Sequence, residues 1–197
     1  RDWSSDVCSS DLSYLRYDRF GNAGTITAVE FTGVSLFHDG TAWNTCTEEP
    51  MPMIISFYEN LDGAPGTEVA SFNMDLTGVL TGDLYADTYE SVLFSAVLPA
   101  AVTLTDGFIS VQGAGSMDCW FMWLNSDVGA DASSFLDDGT GVAPAEGDLA
   151  FCLTLGVASC DTPENLSIAI NGGNADLTWD AVAGATDYAV YAATNGY

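Results

Sequence analysis

The stretch Met51-Pro-Met-Ile-Ile-Ser-Phe-Tyr58 is followed by Glu59-Asn-Leu-Asp-Gly-Ala-Pro-Gly66 and then by Thr67-Glu-Val-Ala-Ser-Phe-Asn-Met74. The outer segments are apolar and rich in strand-forming residues, whereas the middle segment is packed with turn formers. Two such runs around a turn cluster predict a β-hairpin.

The same signature recurs along the chain, because short runs of Val, Ile, Phe, Tyr and Thr are bounded by Gly, Pro, Asn or Asp. No long stripe of apolar residues with helical period interrupts them. The predicted strands are Thr25–Leu36, Met51–Tyr58, Thr67–Met74, Tyr89–Leu98, Gly107–Val111, Trp120–Asn125 and Asp148–Leu155. This number of strands indicates an all-β protein built as an antiparallel, jelly-roll-like β-sandwich.

The last of these strands alternates cleanly. One face carries Leu149, Phe151, Leu153 and Leu155, and the other face carries Cys152. Side chains alternate across a strand, so Cys152 is predicted to point away from the core.

The charge of the chain is strongly one-sided. It has 28 acidic residues, 3 arginines and no lysine, for a net charge of −25, although 48% of its residues are hydrophobic. That apolar content favours a folded chain over a disordered one. Phosphate backbones and anionic lipid surfaces need basic partners, so nucleic acid and membrane surfaces are excluded as partners.

Residues 1–12 read RDWSSDVCSSDL, which from Ser4 onward resembles a translated sequencing-library adapter. We expect this segment to belong to no domain, and Cys8 to carry no structural information. A signal peptide is then not observable, and further linked domains are expected beyond both ends.

Four cysteines remain, Cys46, Cys119, Cys152 and Cys160, and none is in a CxxC motif. An even number without paired ligands favours disulfides over zinc. Three connectivities are open, and we favour Cys46 with Cys119 and Cys152 with Cys160. The alternative is buried free thiols in the cytosol. Disulfides place the protein outside the cell, either secreted or on the cell surface.

A second pattern begins after Cys160. It contains Pro163, a Gly172-Gly173 turn, and the apolar positions Leu177, Trp179, Tyr188 and Val190. This segment resembles the beginning of a bacterial fibronectin type III domain. The resemblance implies three parts: a β-sandwich module over 13–157, a linker over 158–162 and a truncated immunoglobulin-like sandwich over 163–197.

The upstream part resembles a β-sandwich module of large secreted bacterial proteins that often precedes fibronectin-like repeats. The matching segments are Ile55–Glu59, Gly63–Gly66, Val69–Ser71, Leu98–Pro99, Val102–Leu104 and Asp148–Phe151. The biochemical role of that module is poorly defined, so the resemblance implies a bacterial, extracellular location more than an activity.

Catalytic residues are scarce. His38 is the sole histidine and lies where a predicted strand ends, so a solvated or capping role is favoured over acid–base chemistry. The acids sit mainly in predicted turns, at Glu48, Glu49, Asp62, Asp83, Asp87, Asp137 and Asp138. That arrangement argues against the paired carboxylates of a glycosidase.

Two loops are candidates for a structural calcium ion. Asn60 and Asp62 precede or flank Gly63, and Asp137 and Asp138 precede Gly139. Oxygen ligands in loops suit this cation, but neither loop reaches the ligand density of a recognised calcium motif. Ordinary turns are the alternative, and no other cofactor is expected.

Tryptophans provide the main binding candidate. A Cys46–Cys119 bond would bring Trp43 near Trp120, together with the acids Glu48, Glu49 and Asp118. Trp120 and Trp123 are three residues apart and should face opposite sides of a strand. This group could contact a sugar or another protein, and the alternative is packing around the disulfide.

These observations predict a non-catalytic module of a larger secreted or cell-surface bacterial protein, with a binding, adhesive or architectural role. The rival prediction is an accessory carbohydrate-binding module of a secreted hydrolase or peptidase. Its partner would be a glycan or a protein surface.

Overall fold

The computed structural model describes residues 14–21, 23–46, 48–115, 119–126, 134–156, 167–171, 174–178 and 180. Over these ranges the regular structure consists of fourteen β-strands, paired antiparallel. The all-β prediction is therefore confirmed. Nowhere in these ranges is there a helix of the length and apolarity needed to cross a membrane.

The chain divides into two compact units, Arg1–Gly156 and Val157–Tyr197. The proposed adapter segment, 1–12, lies outside the described residues. Its interpretation and the domain assignments made from the sequence stay predictions.

The first unit contains two six-stranded sheets. In spatial order the first sheet comprises β11 (Val142–Ala145), β10 (Ser134–Asp137), β1 (Leu15–Phe20), β8 (Gly107–Gly113), β4 (Met51–Leu61) and β5 (Ala64–Leu76). The second comprises β12 (Phe151–Leu155), β2 (Thr25–His38), β7 (Tyr89–Thr103) and β6 (Val79–Tyr85), with β3 (Trp43–Thr45) and β9 (Trp120–Trp123) also paired to β2.

The hairpin predicted from the sequence is formed by β4 and β5, which pair from Met51 with Leu76 to Leu61 with Ala64. Its turn is shorter than expected, because only Asp62 and Gly63 lie between the strands. Both have positive φ, 54° and 89°, as a type I′ turn requires, and Asp-Gly is a favoured sequence for it.

The seven strands predicted for the first unit are all present, although several are longer than expected. The strands that the prediction missed are β1, β3, β6, β10 and β11. They are short or polar, and β6 is exposed along almost its whole length. These strands form because they pair with neighbouring strands, and their sequences lack the apolar runs used to predict strands.

Both sheets contribute to one hydrophobic core. The first sheet contributes Phe20, Met53, Ile55, Phe57, Ile109 and Val111, and the second contributes Ile26, Val29, Phe31, Phe94, Phe121 and Trp123. The sheets therefore pack face to face as a sandwich.

The centre of this core is aromatic. Phe31 stacks on Phe94 with ring centroids 5.4 Å apart, and Phe121 meets both rings edge-on at 5.8 Å. A Cβ atom at Gly33 would lie 2.1 Å from the Phe121 ring, so only glycine fits there.

The second unit contains β13 (Ser167–Asn171) and β14 (Asn174–Thr178), which form an antiparallel pair. Leu177, one of the four apolar positions noted in the sequence, is on β14. Trp179, Tyr188 and Val190 lie outside the described residues, and the fibronectin-like arrangement stays a prediction.

Candidate functional site

A disulfide joins Cys46 to Cys119, with Cα atoms 5.6 Å apart, as predicted. Cys46 directly follows β3 and Cys119 directly precedes β9. Both strands pair with β2 and meet at Leu36, which is opposite Thr45 on one strand and Trp120 on the other. The disulfide therefore ties together the chain segments that carry Trp43 and Trp120.

An aromatic row lies on the outer face of the second sheet and consists of His38, Trp43 and Trp120. The His38 and Trp43 rings are 5.1 Å apart with planes at 70°, and the Trp43 and Trp120 rings are 5.1 Å apart at 58°. His38 is exposed and both tryptophans are partly exposed. The predicted approach of Trp43 to Trp120 is therefore observed.

Strand alternation places these rings outside. Phe121 and Trp123 point into the main core, and Trp123 is only 4% exposed. Trp120 and Met122 must then face the opposite side of the sheet. The predicted difference between Trp120 and Trp123 is confirmed.

Within the aromatic row, Trp43 packs on a second, smaller apolar cluster. Its buried members are Val34, Leu36 and Met122, and its partly buried members are Trp43, Tyr85, Tyr89 and Leu124. The Tyr89 hydroxyl donates a hydrogen bond to the Trp43 carbonyl oxygen at 3.2 Å. This support fixes the position of Trp43 from below.

The loop between β2 and β3 is held by Asp39. Its Oδ1 accepts hydrogen bonds from the Thr41 and Ala42 backbone N–H groups and from the Thr41 hydroxyl, at 2.7 to 2.8 Å. Its Oδ2 accepts from the Asn44 side-chain amide at 3.0 Å. Hydrogen bonds from Thr41 and Ala42 hold the pKa of Asp39 well below its usual range, so this carboxylate is ionised beside the aromatic row.

His38 ends β2, as predicted. Its Nδ1 accepts a hydrogen bond from the Gly40 backbone N–H at 3.2 Å, and its ring contacts Trp43. These contacts fit the local capping role that the sequence favoured over acid–base chemistry.

The acidic residues of the predicted group that the structure describes are Glu48 and Glu49. Glu48 lies with Cys46 and Cys119, the three ligand atoms being within 4.8 Å of one another. Because the sulfurs are joined in a disulfide, they are not thiolate ligands for a metal. Glu49 accepts a hydrogen bond from the Gly78 backbone N–H at 3.1 Å. Asp118 lies outside the described residues.

The second predicted bridge, Cys152 with Cys160, stays a prediction. Cys152 is a free and exposed cysteine on β12, and Cys160 lies outside the described residues. Phe151 and Leu153 pack against the core, so the predicted outward direction of Cys152 is confirmed.

At the first calcium candidate, the polar groups serve the β4–β5 hairpin. Asn60 accepts a hydrogen bond from the Gly63 backbone N–H at 2.8 Å and donates one to Asp106. Asp62 occupies the turn itself with positive φ. These contacts match the alternative of an ordinary turn.

At the second candidate, the carboxylates serve the β10–β11 turn. Asp137 accepts from the Gly139 backbone N–H at 2.9 Å, and Asp138 accepts from the Thr140 backbone N–H and hydroxyl. Strand register places this turn at the Leu15 end of β1 and the Asn60 turn near its Phe20 end, so the two cannot share an ion. Calcium binding at either turn stays a prediction.

Sequence reasoning missed a buried polar pair on β1. Arg16 and Asp18 are 5% and 3% exposed and lie on the same face as the core residue Phe20. Asp18 accepts hydrogen bonds from the backbone N–H groups of Leu149 and Arg19. Burial raises the pKa of Asp18 to about 6.

Arg16 reaches across to the neighbouring segments. Its guanidinium donates to the Ser134 hydroxyl at 3.4 Å and to the Glu146 carbonyl oxygen at 3.2 Å. The alternate spacing of Arg16, Asp18 and Phe20 is the sequence signal that could have revealed this pair.

No protein-family model, curated protein or solved structure matches the chain. The geometry of the aromatic row offers stacking surfaces and hydrogen-bonding groups, which are the means of non-covalent recognition.

Proposed function

We propose that this protein is a non-catalytic, extracellular module of a larger secreted or cell-surface bacterial protein and acts by binding through the aromatic row. The Cys46–Cys119 disulfide supports a non-reducing environment. The proposal retains the jelly-roll-like arrangement of the first unit and the fibronectin type III-like character of the second.

The observation that carries the proposal is the pair of partly exposed tryptophans. The Trp43 and Trp120 rings lie 5.1 Å apart, Trp43 packs on a small buried apolar cluster, and the disulfide joins the two segments that carry these residues. Tryptophan is usually well buried, and keeping two such rings at a surface leaves apolar area in water. Rigid aromatic anchors of this kind supply much of the energy of binding surfaces.

The second candidate, an accessory carbohydrate-binding module, is favoured by the polar groups near the same rings. The Thr45 side chain is exposed and follows Trp43 by two residues, on the same face of β3. His38, the third member of the row, lies opposite Trp43 on β2. Apolar sugar faces can stack on indoles while hydroxyl groups bond to such neighbours.

The test is a glycan and protein binding screen with wild-type protein, Trp43→Ala and Trp120→Ala. Tyr58→Ala is the matched control, because Tyr58 is a partly exposed aromatic residue on the first sheet that contacts Tyr17. We expect both tryptophan variants to lose the ligands that wild type and the control retain. Ligands retained equally by all four proteins would contradict the proposal.

Non-catalysis is tested with the same ligands. We expect incubation with bound glycans to release no reducing sugar. Release that stops in a single carboxylate variant, such as Glu48→Gln, would show that the protein is an enzyme.

A further inference from the structure

The two arginines in the described ranges are in a different sheet from the aromatic row. Arg16 and Arg19 are both on β1 of the first sheet, whereas the row is on β2, β3 and β9 of the second. Arg16 is buried, and Arg19 forms a bidentate ion pair with Asp106 at 3.0 and 3.1 Å. The chain has no lysine.

An anionic ligand at the row would therefore meet an unfavourable field. The chain carries a net charge of −25, and the ionised Asp39 directly follows His38. Charges of one sign repel across an exposed surface, and their repulsion weakens as salt is added.

A cationic ligand would have to share Asp39 with the groups that already bind its carboxylate. Both carboxylate oxygens of Asp39 already accept hydrogen bonds from Thr41, Ala42 and Asn44. Pairing with an ammonium group would compete with this network, which holds the loop that ends at Trp43.

The orientation of the tryptophans points to a ligand made of several rings. Trp43 and Trp120 differ by 58° in plane, so one flat ring cannot stack on both. Successive sugar rings can rotate relative to one another at the glycosidic bond and present a face to each indole.

We propose that the aromatic row binds a neutral oligosaccharide, with successive sugar rings on Trp43 and Trp120. This inference rests on the proposed function and specifies its ligand. Stacking supplies the affinity, and the surrounding charge excludes uronic-acid chains.

The experiment measures tryptophan fluorescence and calorimetric binding with five probes. Cellohexaose, xylohexaose and mannohexaose are neutral, hexagalacturonate is anionic, and the glucosamine hexamer is cationic. Each is titrated into wild-type protein, Trp43→Ala, Trp120→Ala and the control Tyr58→Ala. Thermal melting confirms that each variant is folded.

We expect at least one neutral hexasaccharide to bind and hexagalacturonate not to bind. Each tryptophan variant loses one stacking surface and should bind about tenfold more weakly, which corresponds to about 1.4 kcal/mol. If a charged probe binds more tightly than the neutral ones and this binding depends on the tryptophans, the ligand is not a neutral oligosaccharide. The proposed binding function would then still stand. Affinities that are unchanged in both tryptophan variants would show that the aromatic row is not the binding site. Failure of all five probes would overturn saccharide recognition, while tryptophan-dependent protein ligands in the earlier screen would still support a binding module.

Discussion

The two sheets place their distinctive residues in opposite settings. The second sheet carries the aromatic row on its outer face, held by a disulfide, whereas the first sheet buries Arg16 and Asp18 on its inner face. The disulfide stabilises the aromatic row at any pH at which the protein stays folded. Burial of Arg16 and Asp18 instead makes the stability of the fold around β1 depend on pH. The aromatic row is thus an exposed surface feature, whereas Arg16 and Asp18 are interior groups that affect the stability of the fold.

Removing the disulfide should have the largest effect. Its cysteines are 73 residues apart, and a loop of this size predicts a loss of about 4 kcal/mol in the free energy of unfolding for Cys46→Ala with Cys119→Ala. Urea denaturation measures this loss. The circular dichroism of the coupled Trp43 and Trp120 indoles should also weaken, since both lie beside the cysteines.

Wild-type protein treated with a reductant provides a check that needs no substitution. Unchanged stability together with an unchanged indole signal would show that the disulfide does not hold the aromatic row.

Asp18 should give the next largest effect, and it depends on pH. Its folded-state pKa is raised from 3.8 to about 6, so the folded protein binds this proton more tightly than the unfolded chain does. The associated stability is present below about pH 4 and is lost as pH rises through 6. Relative to Asp18→Asn, wild type should lose up to about 3 kcal/mol between pH 3.5 and 7.

Urea denaturation of both proteins across this range measures the difference. The comparison with Asp18→Asn cancels the opposite trend of exposed acids such as Asp106 and Asp138, whose pKa values are lowered by hydrogen bonds from Arg19 and Thr140. A constant difference, or one that grows in favour of wild type with rising pH, would contradict this account of β1.

The contrast between the two regions also shows what the sequence could predict. Strand positions followed from local alternation and turn residues, as in Met51–Leu61 and Ala64–Leu76. Cysteine parity favoured disulfides but left three connectivities open, of which the preferred Cys46–Cys119 pair is present. The approach of Trp43 to Trp120 followed from that pair.

Features that depend on distance between remote segments were not predictable in the same way. Asp18 lies against Leu149, 131 residues away, and a polar strand such as β1 resembles a solvated one in sequence. The alternation of β12 predicted the outward direction of Cys152, but alternation carries no information on the distance to another cysteine. Glu49, which was grouped with the tryptophans through the predicted disulfide, accepts a hydrogen bond from Gly78, 29 residues away.

Gly33→Ala should have a smaller effect, confined to the core beneath the aromatic row. The new methyl group would collide with Phe121 and with the Met122 carbonyl oxygen, at 2.1 and 2.8 Å. Overpacking of this kind predicts a loss of about 1 to 3 kcal/mol, measured by urea denaturation. Gly24→Ala is the control, because nothing lies within 4 Å of its Cβ position. Equal stabilities of the two variants would contradict the described packing of β2 on β9.

The central claim is tested most directly by two-dimensional NMR of the five tryptophan indole N–H groups during titration with the neutral hexasaccharides. Trp123 is an internal control, because its indole N–H donates to the Ala150 carbonyl oxygen at 3.0 Å inside the sandwich. We predict that the Trp43 and Trp120 signals shift together, with one dissociation constant, while the Trp123 signal stays in place. Saturable binding that leaves Trp43 and Trp120 unshifted would contradict the assignment of the aromatic row as the binding surface.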